Sequence, residues 1–344
     1  MTYLLPTHPS RFPDLPTLER GLAEVLYSPT SGVIFPETVN LDNSAIEHQT
    51  VAVLSREPSE FSSTFAAEEV NCRLFDGREL KLFCKYSYGH RDSEPTPRRG
   101  LAFEVAVYQR IVRPLPLSQT HCYGAYHEPH THEEWLVLEH LEDALWASHA
   151  WEGDAMRSAV HWIARFHKLN AARLDDPALS CLARCGTDHY LFWSQRSWQL
   201  CERAGQTPPW LRPLHDQYES QYVPLLAAQP ATVVHGEYTP RNALWHAGAI
   251  KPIDWETAMI AVGEIDLVTL LYDWDEETIA ECEVEYQQTR WPDGPPTTFP
   301  DILPAARIYS AFHWIYGGSE DIHPQCVTDH LAMLHAAALR EGLL

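Results

Sequence analysis

Between Val233 and Asp266 the chain reads VVHGEYTPRNALWHAGAIKPIDWETAMIAVGEID, and this segment restricts the fold more than any other. Val233 and Val234 lead in as a short apolar strand. The polar run Glu237 to Asn242, with Pro240 inside it, predicts a loop. Ala243 to Trp245 resumes the strand pattern, Ala247 and Gly248 make a turn, and Ile250 to Asp254 predicts a second strand. A loop and hairpin of this kind can aim Glu237, Asn242 and Asp254 at one point. Phosphoryl transfer from a nucleotide needs such a cluster. One carboxylate orients or deprotonates the acceptor hydroxyl, while an amide and a second carboxylate hold the metal that neutralises the phosphates.

The order is specific: His235-Gly236-Glu237, four residues, Asn242, and then Ile253-Asp254-Trp255-Glu256. It resembles the catalytic core of the aminoglycoside phosphotransferase and choline kinase family, small-molecule kinases built on a protein-kinase-like fold. Gly263 and Asp266-Leu267 extend the resemblance, since in the family they open a buried helix that braces the catalytic loop. Glu237 departs from it, standing where the family most often has aspartate. The resemblance implies an α+β, bilobal protein-kinase-like fold, with an antiparallel-sheet N-lobe carrying one key helix and a mainly helical C-lobe. It implies ATP-dependent transfer of the γ-phosphate to a hydroxyl of a small molecule, with GTP as the other possible donor. Glu237 is then the base and Asn242 and Asp254 the Mg²⁺ ligands, while His235 is structural and Arg241 faces the γ-phosphate or the acceptor. The alternative is a catalytically degenerate, nucleotide-binding scaffold, motivated by Glu237 and by a phosphate loop without glycine.

Bulk properties set outer bounds. A chain of 344 residues, 45% hydrophobic, can bury a large core and is long enough for two lobes. Eight cysteines in that length make no disulfide framework, and Cys72, Cys84 and Cys122 lie in apolar runs that suggest reduced core thiols. The formal charge of −22 argues against nucleic-acid binding, which needs clustered Lys and Arg. It suits either a solvated acidic surface or an attraction for cationic substrates. No apolar run approaches the ~20 residues that span a bilayer, and the start lacks signal-peptide organisation. The expectation is a cytoplasmic protein with no membrane partner.

In chain order, residues 1–48 form an extension in which Leu18, Leu22, Val25 and Leu26 predict one amphipathic helix that packs on the first lobe. Residues 49–142 read as the nucleotide-binding lobe and hinge. Strands are predicted at Val51–Leu54, Val70–Phe75 and Leu80–Tyr86, with a loop from Arg56 to Phe65 and a tight turn at Asp76-Gly77. Ser63 and Thr64 in the loop could offer hydroxyls and N–H groups to phosphate. Alternation in the third strand puts Leu80, Leu82 and Cys84 on one face and Lys81, Phe83 and Lys85 on the other. By resemblance, Lys85 holds the α- and β-phosphates and Phe83 stacks on adenine; otherwise Lys85 is a solvated strand end. Helix Leu101–Val112 carries Glu104 on a stripe with Leu101, Tyr108 and Ile111, so Glu104 either needs a partner, with Lys85 the candidate, or is exposed at the border of the stripe. Strands Cys122–Tyr126 and Glu134–Leu138 then pair. Glu139-His140-Leu141-Glu142 corresponds to the family hinge, where backbone groups of Glu139 and Leu141 read the purine edge. His127, His130 and His132 on the intervening turn read as solvated histidines rather than metal ligands.

Residues 143–344 read as the helical lobe with the catalytic loop and acceptor pocket. Met156, Val160, Ile163 and His167 share helical spacing, which makes His167 a core histidine. Cys181, Cys185 and His189 also lie four apart, as on one helix, without an evident fourth zinc ligand. From Asp273 to Glu285 seven acidic residues precede Arg290, and a Pro-rich loop is predicted from Trp291 to Pro304. Helices bearing Tyr309, Phe312, Trp314 and Tyr316 follow. Acidic and aromatic groups here suit an aminoglycoside, a polyamine or a quaternary ammonium ion, or else form a solvated helix face.

Overall fold

Asp14 starts the first helix, α1 (Leu15–Leu26), by accepting the Thr17 N–H at 2.9 Å, with Pro16 in the first turn. The computed structural model describes residues 12–33, 50–60, 65–87, 99–150, 155–272, 274–316 and 324–344. The chain divides into two units, Met1–Ala144 and Leu145–Leu344, against a boundary read near residue 142 in the sequence.

In the first unit α1 is followed by β1 (Val51–Pro58), β2 (Ala66–Leu74), β3 (Glu79–Tyr86), helix α2 (Leu101–Val107), β4 (Cys122–His127) and β5 (Glu134–Glu139). The strands form one antiparallel sheet in the order β1-β2-β3-β5-β4. One sheet face closes on α1: Leu18, Leu22, Val25 and Leu26 pack with Val70, Leu82, Cys84, Tyr86 and Trp135. The opposite face of β3 carries Lys81, Phe83 and Lys85, all partly buried. β1 runs four residues past the predicted Leu54. A register shift between Val53 and Ser55 turns the strand, and Arg56 then makes a bidentate pair with the buried Glu68 of β2, at 2.7 Å for each bond. A polar stretch thus stays in the sheet because its charge is paired. The helix predicted over Leu101–Val112 begins as α2 and ends as a π-helical turn, Tyr108–Val112.

The second unit contains β6 (Leu145–Trp146), α3 (Ala155–Ala171), α4 (Thr187–Arg203), α5 (Leu211–Gln217) and α6 (Val223–Ala227). Next come β7 (Thr232–Val234), β8 (Ala243–His246), β9 (Ala249–Pro252) and β10 (Met259–Ala261). Helices α7 (Glu264–Leu270), α8 (Glu276–Arg290), α9 (Phe299–Tyr316) and α10 (Pro324–Arg340) complete it. Two small sheets, β6-β8-β9 and β7-β10, carry the segment from Val233 to Asp266. Among the described residues no helix is long and apolar enough to cross a membrane.

Two readings of this unit need correction. The predicted loop Trp291–Pro304 ends early, because α9 begins at Phe299 and holds Pro304 inside it. Burial of Phe299, Ile302, Leu303, Ala305 and Ala306 outweighs the ~3 kcal/mol that an internal proline costs. Cys181, Cys185 and His189 do not share a helix. Cys181 closes a 3₁₀ turn, the Cys185 N–H bonds the Ile260 carbonyl at 2.8 Å, and only His189 lies in α4. In the acidic run, Glu281 pairs with Arg157, Glu285 with His161, and Glu283 with Arg307. Those carboxylates tie α8 to α3 and α9.

His189 Nε2 lies 2.9 Å from the Tyr309 hydroxyl, and burial pushes its pKa down to about 4. A base that is harder to protonate in the folded state leaves the unfolded chain binding more protons between about 4 and its ordinary 6.5. This contribution to stability is therefore complete above pH 6.5 and is lost as pH falls toward 4. His189→Gln is expected to narrow the gap between urea midpoints measured at pH 7 and pH 5.

Candidate active site

β7 delivers the chain to His235, which is fully buried with its ring 4.4 Å from that of Trp255. Its Nε2 donates to the Ile253 carbonyl at 2.9 Å, and Nδ1 faces the Glu237 N–H at 3.4 Å. Gly236 has φ +89, and a Cβ there would stand 2.6 Å from the Thr257 carbonyl oxygen. Both the left-handed backbone and the close approach therefore require glycine. Asp266, buried in the first turn of α7, reaches back to this turn. Its Oδ2 accepts the His235 N–H at 2.7 Å and its Oδ1 the Gly236 N–H at 2.9 Å. The peptide just before Glu237 is thereby clamped by a carboxylate 30 residues away in sequence.

Beyond the clamp, the Glu237 carbonyl accepts both the Thr239 N–H at 2.8 Å and the Asn242 Nδ2 at 2.9 Å. With Nδ2 committed, Asn242 keeps its amide oxygen for a further ligand. Across the hairpin, the Ile253 N–H bonds the Asn242 carbonyl at 3.0 Å. Residues 235, 237, 242 and 253 thus form one hydrogen-bonded knot, and Asp254 follows directly. The strand ends at Pro252, two residues before the predicted end. The cause is Asp254, held at φ 68 and ψ 59. That left-handed conformation costs a non-glycine residue about 1–2 kcal/mol and bends the chain into the 3₁₀ turn Trp255–Thr257. Trp255, fully buried against Phe166 and His235, anchors the bend.

Glu237 is largely buried and Asp254 partly exposed. Among the described residues no three His, Cys, Asp or Glu side chains are grouped to hold a metal ion by themselves. An amide oxygen and a carboxylate are the hard oxygen donors that Mg²⁺ takes when bound phosphates and waters complete its shell. The residues present fit that ion. Arg241, next to Asn242, has its guanidinium 5.0 Å from the ring centre of Trp146 in β6.

In the first unit Lys85 Nζ lies 3.1 Å and 3.3 Å from the two oxygens of Glu104, whose side chain is fully buried. β3 pairs Lys85 with Leu136 and Phe83 with Leu138 of β5, so both side chains stand on the sheet face away from α1. The Glu139 N–H donates to the His121 carbonyl at 2.9 Å, and its Oε1 accepts the His121 N–H at 2.8 Å. The Leu141 carbonyl accepts the Ala144 N–H at 3.3 Å. Ser63 and Thr64 lie outside the described residues.

The sequence did not reveal how far Asp266 reaches, nor what His167 is for. His167 is a satisfied core histidine, as its spacing suggested, with Nε2 3.0 Å from Asp266 Oδ2 and Nδ1 2.8 Å from the Tyr286 hydroxyl. Its partners lie 99 and 119 residues away. No periodicity within a helix carries such a signal; a polar residue at each of several buried helical positions was the only hint.

Comparison with known proteins gives the family and the fold. The model of the phosphotransferase enzyme family matches residues 80–296, more than half of the 344 residues. No functionally curated protein matches the sequence. Among solved structures, the GDP complex of wild-type aminoglycoside 2′-phosphotransferase-IIIa is similar with a TM-score of 0.61 and 11% identity, covering 84% of this chain and 94% of the other. A macrolide 2′-phosphotransferase from Brachybacterium faecium gives 0.54 and 15%, covering 86% and 95%. Choline kinase from Cryptosporidium parvum Iowa II gives 0.56 and 12%, covering 90% and 94%. At these identities the likeness speaks to the fold, which is the α+β, protein-kinase-like one. With its family model spanning β3 through α8, the chain belongs to the phosphotransferase enzyme family.

Proposed function

We propose that the protein transfers the γ-phosphate of ATP to a hydroxyl group of a small molecule. The observation that carries this reading is the knot that ties His235, Glu237, Asn242 and Ile253 together, with Asp254 next in the chain. Glu237 accepts the proton of the acceptor hydroxyl as the oxygen attacks phosphorus. Asn242 Oδ1 and the Asp254 carboxylate hold Mg²⁺, which supplies charge neutralisation at the phosphates. His235 shapes the loop from within and does no chemistry. In the first unit, Lys85 binds the α- and β-phosphates and Glu104 holds its ammonium in place. Phe83 meets the adenine face, and the backbone of Glu139 and Leu141 its edge.

GTP is the other donor to test, since similar phosphotransferases have been solved with GDP in one case and with ATP and streptomycin in another. The acceptor is an aminoglycoside-, choline- or amino-sugar-like alcohol, with a cationic one favoured by the net charge of −22. The cytoplasm suits a chain with buried thiols at Cys72, Cys84, Cys122 and Cys201.

Thermal shift with Mg·ATP and Mg·GTP, followed by a nucleotide-consumption screen over hydroxylated amines, sugars and macrolides, tests the reading. Binding with no turnover on any acceptor would leave the degenerate scaffold in its place. Lys85→Met is expected to raise the nucleotide Kd by tenfold or more in calorimetry, because a charge-assisted phosphate contact is lost.

A further inference from the structure

We propose that Tyr286 and Arg290 of α8 are positioning residues for the loop bearing Glu237, acting through a one-way chain of hydrogen bonds that ends on the backbone of His235 and Gly236. The inference rests on the proposed function only in treating that loop as catalytic.

The direction of the chain follows from what each group can give or take. The Asp266 carboxylate is the acceptor of this cluster, facing the His235 N–H, the Gly236 N–H and His167 Nε2. Nε2 of His167 therefore carries the proton, which leaves Nδ1 as a lone pair. The Tyr286 hydroxyl, 2.8 Å from Nδ1, must donate to it. The phenol oxygen is then an acceptor, and Arg290, which only donates, approaches it with Nη1 at 2.5 Å. The same Nη1 lies 3.0 Å from Glu264 Oε1, two residues before Asp266 on α7. The reverse direction fails. A proton on Nδ1 alone would point a bare Nε2 at a carboxylate, and Arg290 offers Tyr286 no lone pair. Burial also holds the His167 pKa below its ordinary value, keeping the ring neutral.

Gly263 supplies a separate observation. Its φ of −68 is ordinary, so its backbone does not require glycine. Space does: a Cβ there would lie 2.7 Å from Arg290 Nη1, 2.8 Å from His167 Nδ1 and 2.9 Å from the Tyr286 hydroxyl. The chain passes directly over the one residue that leaves room for it. Every member is buried, and the Arg290 guanidinium sits 4.3 Å from the Trp291 ring centre. A shift of Asp266 would move the peptide ahead of Glu237. Misplacing a catalytic group by about 1 Å can cost on the order of a hundredfold in rate.

The test uses the full chain and two readouts that need no substrate. Nitrogen-15 NMR of the wild-type His167 ring is expected to show the proton on Nε2 and Nδ1 accepting a hydrogen bond. In Tyr286→Phe, the Nδ1 resonance should move to that of an unbonded nitrogen. Exchange of the His235 and Gly236 amides should quicken roughly fivefold, about the weight of one net hydrogen bond. Gly263→Ala should quicken the same amides, whereas His167→Gln, which can still donate to Asp266, should stay closer to wild type than His167→Leu. With an acceptor in hand, Tyr286→Phe should lower kcat about tenfold and leave the nucleotide KM within about twofold. A wild-type ring protonated on Nδ1 overturns the proposal, and that measurement needs no variant to fold. Unchanged amide exchange in Tyr286→Phe also overturns it. Failure to find any acceptor would instead count against the kinase reading and leave both NMR results standing.

Discussion

Glu237→Gln is expected to lower phosphoryl transfer by about 10²–10⁴-fold, the range a general base contributes, while the nucleotide Kd stays within about twofold. The amide keeps the shape and burial of the side chain but cannot take a proton. Steady-state kinetics with whichever acceptor the screen identifies, alongside calorimetric titration of the nucleotide, separates the two effects. Equal losses in turnover and binding would mean that Glu237 shapes the site without acting as base. Glu237→Asp is the sharper companion. Aspartate is the commoner residue in the family resemblance, yet here it is expected to be slower than glutamate. Asp266 holds the backbone just before position 237, and Asn242 holds its carbonyl. The loop cannot advance to make up for a stem one methylene shorter, and a displacement of about 1 Å is enough to cost roughly a hundredfold.

Asp266→Ala is expected to cost about 3–5 kcal/mol of stability, the range seen when one partner of a buried charged network is removed. The carboxylate is fully buried and satisfies two backbone N–H groups and His167. Alanine leaves three donors without an acceptor, each worth about 1–3 kcal/mol when orphaned in the interior. Against a typical total of about 5–15 kcal/mol, such a loss is a large share. Urea unfolding followed by tryptophan fluorescence measures it, and Trp255, packed on His235, is a suitable reporter. Asp266→Asn, which retains one acceptor oxygen, should lose less. A drop below about 1 kcal/mol for the alanine variant would mean that the clamp is replaced by water, and the loop would then owe its geometry to the hairpin instead.

Much of this molecule is legible in its sequence. All five strands of the first unit were predicted, β1 and β2 too short, and in β3 the alternation of Leu82 and Cys84 with Lys81, Phe83 and Lys85 records the burial of one sheet face under α1. The Lys85–Glu104 pair was readable for a different reason: a carboxylate on an apolar helix stripe must find a cation, and the family resemblance pointed to Lys85. Where the reading went astray, the cause was a partner distant in sequence. Arg56 looked like loop until Glu68 paired with it in the sheet. Pro304 looked like a helix breaker until its apolar neighbours were buried.

By itself the sequence determined the family and the strands of the first unit, and it named the groups proposed to do chemistry. Residue types at short fixed spacings are local properties, and local properties are written in the chain. The tertiary structure alone decided what holds those groups still. Asp266 meets Gly236 across 30 residues and His167 across 99, and α8 supplies Tyr286 and Arg290 from further still. Contacts of that separation leave no periodic trace. They arise only when burial removes water as the competing partner, so that each polar group must find one other group in the protein to satisfy it.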